Sequence, residues 1–174
     1  MKRILAISGS TKSNSTNERI LHAIARLYAK SLSFEIFTAI GDLPYFNPDL
    51  DAGDVPPAVL DLRRLIEGAD GVLIATPEYV YSLPGALKNA LEWTVSTTLF
   101  NEKPAAFLIA AASGEKAFES LALILRTIGA RIDEDSMLLI KAAKAKVDSN
   151  YEVSDPSILG QIDRLIAALK RNIG

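Results

Sequence analysis

Short, wholly apolar runs alternate along this chain with stretches in which apolar residues recur every three or four positions. Ile4-Leu5-Ala6-Ile7 is the first run, ended by Ser8-Gly9-Ser10, and it reads as a buried strand. From about Asn17, the residues Ile20, Leu21, Ile24, Ala25, Leu27 and Tyr28 fall at helical spacing. Residues 33–37 form a second short strand. The Pro- and Asp-rich stretch from Gly41 to Pro57 predicts a long excursion over the surface, and connections of that length are often functional. Helical spacing returns over 59–67 and stops at Gly68. Residues 71–76 predict a strand halted by Pro77, 85 to about 95 a helix, and 105–111 another buried strand. A helix over 117–128 closes at Gly129, and 136–141 make the fifth strand. Asp155-Pro156 opens a last helix with Ile158, Ile162, Leu165, Ile166 and Leu169 on one face.

Five strands thus alternate with five helices. Strands that are apolar throughout fit a parallel sheet covered on both faces. Right-handed crossovers leave one leading topology, a five-stranded doubly wound sheet of order 2-1-3-4-5, with residues 1–174 as one domain. Ligands of such sheets bind beyond the carboxyl ends of the strands, where strand order reverses. The loops after the first, third and fourth strands are therefore the places to look.

Composition narrows the chemistry. A net charge of −2 gives no electrostatic case for nucleic acid or an anionic membrane surface. The absence of cysteine excludes disulfides, thiolate metal sites, iron–sulfur clusters and dithiol redox chemistry. The single histidine, His22, lies amid apolar neighbours of the first helix and reads as a partly buried packing residue, which leaves little for a transition metal. Any redox work would need an organic cofactor. The N-terminus turns polar too soon for a signal peptide, and no run approaches the roughly 20 apolar residues of a membrane span. A cytoplasmic protein is expected.

The first-strand loop, Ser8-Gly9-Ser10-Thr11-Lys12-Ser13-Asn14-Ser15-Thr16-Asn17, leads straight into a helix and holds no carboxylate. Free amides and the helix dipole at such an end favour a dianion, to which the hydroxyls of Ser10, Ser15 and Thr16 and the charge of Lys12 add. A helix cap would need only one of these residues. There is no Gly-x-x-x-x-Gly-Lys-Ser/Thr pattern and no Gly-x-Gly-x-x-Gly turn, so the anion belongs to neither a P-loop nor a dinucleotide site. A receiver domain would place acidic residues here to hold magnesium; Ser8, Gly9 and Ser10 supply none.

The third-strand loop runs from Thr76 through Pro77-Glu78-Tyr79-Val80-Tyr81-Ser82-Leu83-Pro84-Gly85 into Ala86-Leu87-Lys88-Asn89-Ala90-Leu91-Glu92-Trp93. Prolines stiffen both ends, and Tyr79 and Tyr81 offer flat amphipathic surface. This segment closely resembles the Thr-Pro-Glu-Tyr-Asn-x-Ser-x-Pro-Gly-x-Leu-Lys-Asn-Ala-x-Asp-Trp signature of the NADPH-dependent FMN reductase family. The loop from Gly9 to Asn17 is similar to that family's phosphate loop, and the likeness extends from Met1 to about Ile140. It implies a flavodoxin-like fold and an NAD(P)H-dependent reductase that passes hydride through FMN to flavin, quinone or a similar small acceptor.

The resemblance implies that Ser10, Lys12, Ser15, Thr16 and Asn17, with the backbone of Thr11, bind the FMN phosphate. Pro77, Glu78, Tyr79, Val80 and Tyr81 would line the ribityl chain and the ring system. Ser113 and Gly114, in the loop after the fourth strand, would approach the flavin pyrimidine, with the amides around 113–116 facing its reduced charge. No acid–base catalyst is implied, since the cofactor carries the chemistry; Glu78 reads as a cap or brace. Lys88 and Asn89, on the following helix, read as helix surface, as a helix–loop brace or as flavin contacts. Trp93 and the apolar residues after it read as core or as a subunit contact. The family implies a homodimer or homotetramer.

Three positions depart from the pattern. Lys12 stands where the family has arginine, keeping the charge and losing the bidentate fork. Val80 replaces an asparagine. The fourth loop, Ala112-Ser113-Gly114-Glu115-Lys116, keeps one glycine where the family shows two pairs. The basic side chains are scattered and none marks a 2′-phosphate clamp, so NADPH and NADH stay equally open. Two other readings are an electron carrier of the same fold, which would be far more acidic, and a binding domain that has lost flavin.

Overall fold

The computed structural model describes residues 1–143, 153 and 155–174. In chain order its elements are β1 (Lys2–Ser8), α1 (Thr16–Leu27), β2 (Leu32–Phe37), α2 (Pro48–Ala52), α3 (Pro57–Gly68), β3 (Gly71–Thr76), α4 (Gly85–Glu92), β4 (Ala105–Ala111), α5 (Glu115–Thr127), β5 (Met137–Lys141) and α6 (Pro156–Ile173). All strand pairs are parallel, and the order is β2-β1-β3-β4-β5. This is the flavodoxin-like order expected, with the reversal between β1 and β3.

The continuous apolar runs are explained by two cores. Leu5, Ile7, Val72, Ile74, Phe107 and Ile109 face one side of the sheet and pack beneath α3, α4 and α5. Their neighbours Ile4, Ala6, Leu73, Ala75, Ala106 and Leu108 face the other side, under α1 and α6. Successive side chains on a strand point to opposite faces, so burial of both faces demands an unbroken apolar run.

Several boundaries differ from expectation. The excursion over 41–57 carries the short helix α2, started by Asn47, whose side chain accepts from the Asp49 amide, with Pro48 next. α4 stops at Glu92, and Trp93 turns into the core, fully buried, with Phe46 against it edge-on at 5.1 Å. Ser136 belongs to a 3₁₀ turn capped reciprocally with Asp133, so β5 starts one residue later. His22 is exposed on α1 rather than packed, within 4.0 Å of Glu18 one turn earlier. No helix among the described residues is long and apolar enough to cross a membrane.

Candidate functional site

A cleft of about 810 Å³ opens over the carboxyl ends of β1, β3 and β4. That volume lies in the roughly 300–1,000 Å³ range of small-molecule sites. The β1 loop is set against β3 by a backbone bond from the Gly9 amide to the Ala75 carbonyl, 2.7 Å. A Cβ on Gly9 would sit 2.3 Å from the Thr76 hydroxyl oxygen and 2.5 Å from Thr76 Cβ, so glycine alone permits this approach.

The loop then caps α1. Ser15 Oγ accepts from the Glu18 amide at 3.1 Å, and Ser10 Oγ accepts from the Lys12 amide at 3.2 Å. Helix geometry leaves the Thr16 and Asn17 amides without an intrahelical acceptor. Ser10, Lys12, Ser15, Thr16 and Asn17 all line the cleft, and Thr11 does not. Two features of this wall were not anticipated. Arg19, one turn after Thr16, lines the cleft and donates to Thr16 Oγ1 at 3.2 Å. A cation in the first turn opposes the helix dipole, so its placement speaks for an anion in front of it. Asn17, in turn, spends its amide nitrogen on the Ala110 carbonyl, 3.3 Å away. The Asn17 side-chain nitrogen is thus spent on β4, and its buried oxygen is left without a partner among the described residues.

From the β3 loop, Pro77, Glu78 and Tyr79 line the cleft, and Val80 and Tyr81 lie off it. Tyr79 and Ser82 exchange two backbone hydrogen bonds of 3.0 Å across a tight turn. The two central residues have positive φ, 49° at Val80 and 56° at Tyr81, the signature of a mirror-image turn that favours Asn and Gly. The side chains stand out into solvent: Val80 is 95% exposed and Tyr81 79%.

Glu78 is a brace, as its chemistry suggests, and its reach is long. Oε2 accepts from the amides of Lys116 and Ala117 at 2.9 and 3.0 Å, and Oε1 accepts from Ser113 Oγ at 3.3 Å. The Lys116 amide is therefore withdrawn from the ligand-facing role expected of it. Ser113, exposed, and Gly114, buried, do not line the cleft, whose wall Ala110, Ala111 and Ala112 form here. Gly114 has φ +108°, and a Cβ there would meet Ile109 and Leu139 carbons at 2.8 Å, so the remaining glycine of this loop is irreplaceable. The Lys116 ammonium turns away to Glu119; that hydrogen bond, reinforced by the carboxylate's charge, raises its pKa. Ala142 and Ala143, after β5, complete the wall.

Asn89 proves to be a brace too. Its Oδ1 accepts from the Phe46 amide at 2.7 Å, and its Nδ2 donates to the Pro44 carbonyl at 2.9 Å, which also receives the Trp93 indole N–H at 2.8 Å. Arg63 donates to the Trp93 carbonyl and pairs with Asp51. Burial pushes the Asp51 carboxyl up, but hydrogen bonds from Ser96 and Arg63 and the Arg63 charge hold it below its ordinary value. The excursion is thus fastened to α4. Lys88 pairs with Glu92 on the helix surface.

Comparison with known proteins fits this geometry. A family model for NADPH-dependent FMN reductase matches residues 2–144. A 2-hydroxy-1,4-benzoquinone reductase of Burkholderia sp is 34% identical over 158 residues, 87% of this chain and 85% of that protein. A probable NADPH:quinone oxidoreductase 2 of Oryza sativa subsp. japonica is 32% identical over 177 residues, covering 97% and 87%. Among solved structures, FerB, a flavoenzyme NAD(P)H:(acceptor) oxidoreductase from Paracoccus denitrificans, superposes with a TM-score of 0.80 at 26% identity over 99% of both chains.

Proposed function

The chain belongs to the NADPH-dependent FMN reductase family, and from that premise we propose that the cleft over β1, β3 and β4 holds FMN and serves an NAD(P)H-dependent reductase of flavin, quinone or similar small acceptors. The observation that carries the placement is the convergence of the α1 N-terminus, three hydroxyls, Lys12 and Arg19 on one cleft wall. The donor set fits a phosphate dianion, and the buried Asn17 Oδ1 beside it fits a hydroxyl of the polyol chain. Bound FMN would supply the hydride and electron transfer between nicotinamide and acceptor, chemistry that no side chain of this cysteine-free protein supplies.

The residues do the rest. The Thr16 and Asn17 amides and the Ser10, Ser15 and Thr16 hydroxyls hold the phosphate, with Lys12 and Arg19 supplying charge. Tyr79, half exposed on the rim, gives a planar ring an apolar face and excludes water there. No protein group need move a proton, because Glu78, the carboxylate of the cleft wall, is engaged with two amides. The reading also takes the chain as one functional domain in the cytoplasm and as a homodimer or homotetramer. The exposed Tyr81 beside the cleft supports that assembly.

The purified protein is expected to be yellow, or to become so on addition of FMN, and to bleach under anaerobic NADPH or NADH. A protein that stays colourless after soaking in FMN overturns the reading. Light scattering on a sizing column tests the assembly.

A further inference from the structure

α5 starts without a cap of its own. Gly114 stands at the N-cap position and has no side chain to offer the first-turn amides. Glu78 reaches over from the β3 loop, 38 residues earlier, and accepts from Lys116, at 2.9 Å. The same carboxylate takes the Ala117 amide at 3.0 Å and the Ser113 hydroxyl at 3.3 Å. One side chain therefore ties two neighbouring cleft loops together.

Its charge has a second effect. A helix N-terminus carries about half an elementary positive charge. Left uncapped, that charge would favour the arrival of electrons in the cleft. A whole carboxylate charge laid on it reverses the local sign. Among the described residues, the other charges on this shoulder cancel in pairs, Lys116 with Glu119 and Lys141 with Glu115. Across the cleft, Lys12 and Arg19 stand at the α1 end, where the phosphate binds on our reading.

We propose that Glu78 is a positioning residue that tunes redox poise: its negative charge on the α5 N-terminus lowers the reduction potential of bound FMN and makes the reduced cofactor a stronger donor. This rests on the reading that the cleft holds FMN. The mechanical and electrostatic parts of the role separate by substitution. Glu78→Gln keeps an oxygen acceptor of the same reach and removes the charge. Glu78→Asp keeps the charge and shortens the reach.

The test is the midpoint potential of protein-bound FMN, read by anaerobic spectral titration against a reference dye, with the melting temperature of each variant alongside. For Glu78→Gln the equilibrium between oxidised and reduced cofactor shifts at least tenfold toward reduced, about 30 mV upward for a two-electron couple. For Glu78→Asp the midpoint stays with the wild type while the melting temperature falls. A Glu78→Gln midpoint equal to the wild type, with FMN bound, overturns the proposal. If Glu78→Gln fails to retain FMN, Glu78→Asp decides: an unmoved midpoint supports the electrostatic role, and an upward shift as large as that expected of glutamine overturns it. Failure of the wild type to bind FMN would overturn the cofactor reading itself, a result visible before any variant is made.

Discussion

The turn at Val80 makes a quantitative prediction. A β-branched residue at φ 49° sits where its Cβ crowds the following carbonyl, at roughly 1–2 kcal/mol per residue. Asparagine adopts this region far more readily because its short amide bonds locally. The counterweight is lost burial, and here it is small. Full burial of a valine side chain contributes about 1.5–3 kcal/mol. Val80 is 95% exposed, so its share is on the order of 0.1 kcal/mol by the same scale. Strain relief wins, and Val80→Asn should stabilise the fold by about 1 kcal/mol. For a chain of this size that is roughly 2–4 °C in melting temperature. Thermal unfolding by circular dichroism measures it, with urea titration expected to show an unchanged slope and a raised midpoint. Val80→Ala, which drops the branch and keeps Cβ, should fall between the two. The measurement is made with and without FMN and over a hundredfold range of protein concentration. An equal gain under all conditions is expected. A Val80→Asn melting temperature at or below the wild type would refute the strain argument, and a loss appearing only at high concentration would place Val80 in a contact between copies.

Other consequences can be checked as directly. Lys12→Ala should weaken FMN binding about tenfold, the worth of one exposed charge-assisted contact, and Lys12→Arg should restore or exceed the wild-type affinity in a fluorescence titration. Asn89→Ala leaves the Phe46 amide without its acceptor and the Pro44 carbonyl with the Trp93 indole N–H alone and should cost about 1–3 kcal/mol; limited proteolysis should then cut first within residues 41–57. Asp51 has a folded-state pKa below its ordinary 3.8, so its stabilisation is complete above that value and is lost as pH falls through the folded pKa. Urea midpoints of the wild type should drop below about pH 4, and Asp51→Asn should flatten that part of the profile while lowering stability at pH 7, because it leaves the partly buried Arg63 without its counter-charge.

The doubly wound sheet was readable because both its faces are buried, which writes each strand as an uninterrupted apolar run. The polar loop that lines the cleft was noticeable for a different reason: ten consecutive polar or glycine positions, Ser8 to Asn17, exceed what a helix cap needs. What escaped the linear reading is what depends on partners distant in sequence. α5 begins at Glu115, two residues before the apolar period, because its cap comes from Glu78. Asn17 matches a phosphate ligand by position, yet its nitrogen is claimed by Ala110 across the sheet. Arg19 carried a usable signal, since three residues after Thr16 is the same helix face. Ala142 and Ala143 carried none, as small apolar residues after a strand resemble any connection. His22, flanked by Leu21 and Ala23, pointed inward by its neighbours and outward by its helical phase; phase decided.

The contact between Gly9 and Thr76 makes the spacing of the cleft walls a property of the sheet. Ser8 lies in register with Ala75, and the next residue touches the end of β3. Deleting one residue from either strand would slide a wall by a whole rise, roughly 3.3 Å, and turn its side chains to the opposite face. By contrast, residues 11–14 are exposed and outside the register. An engineer who wants a differently shaped ligand has freedom to lengthen or recolour that outer arc, whereas the two strand ends behave like a fixed gauge block against which every such change is set.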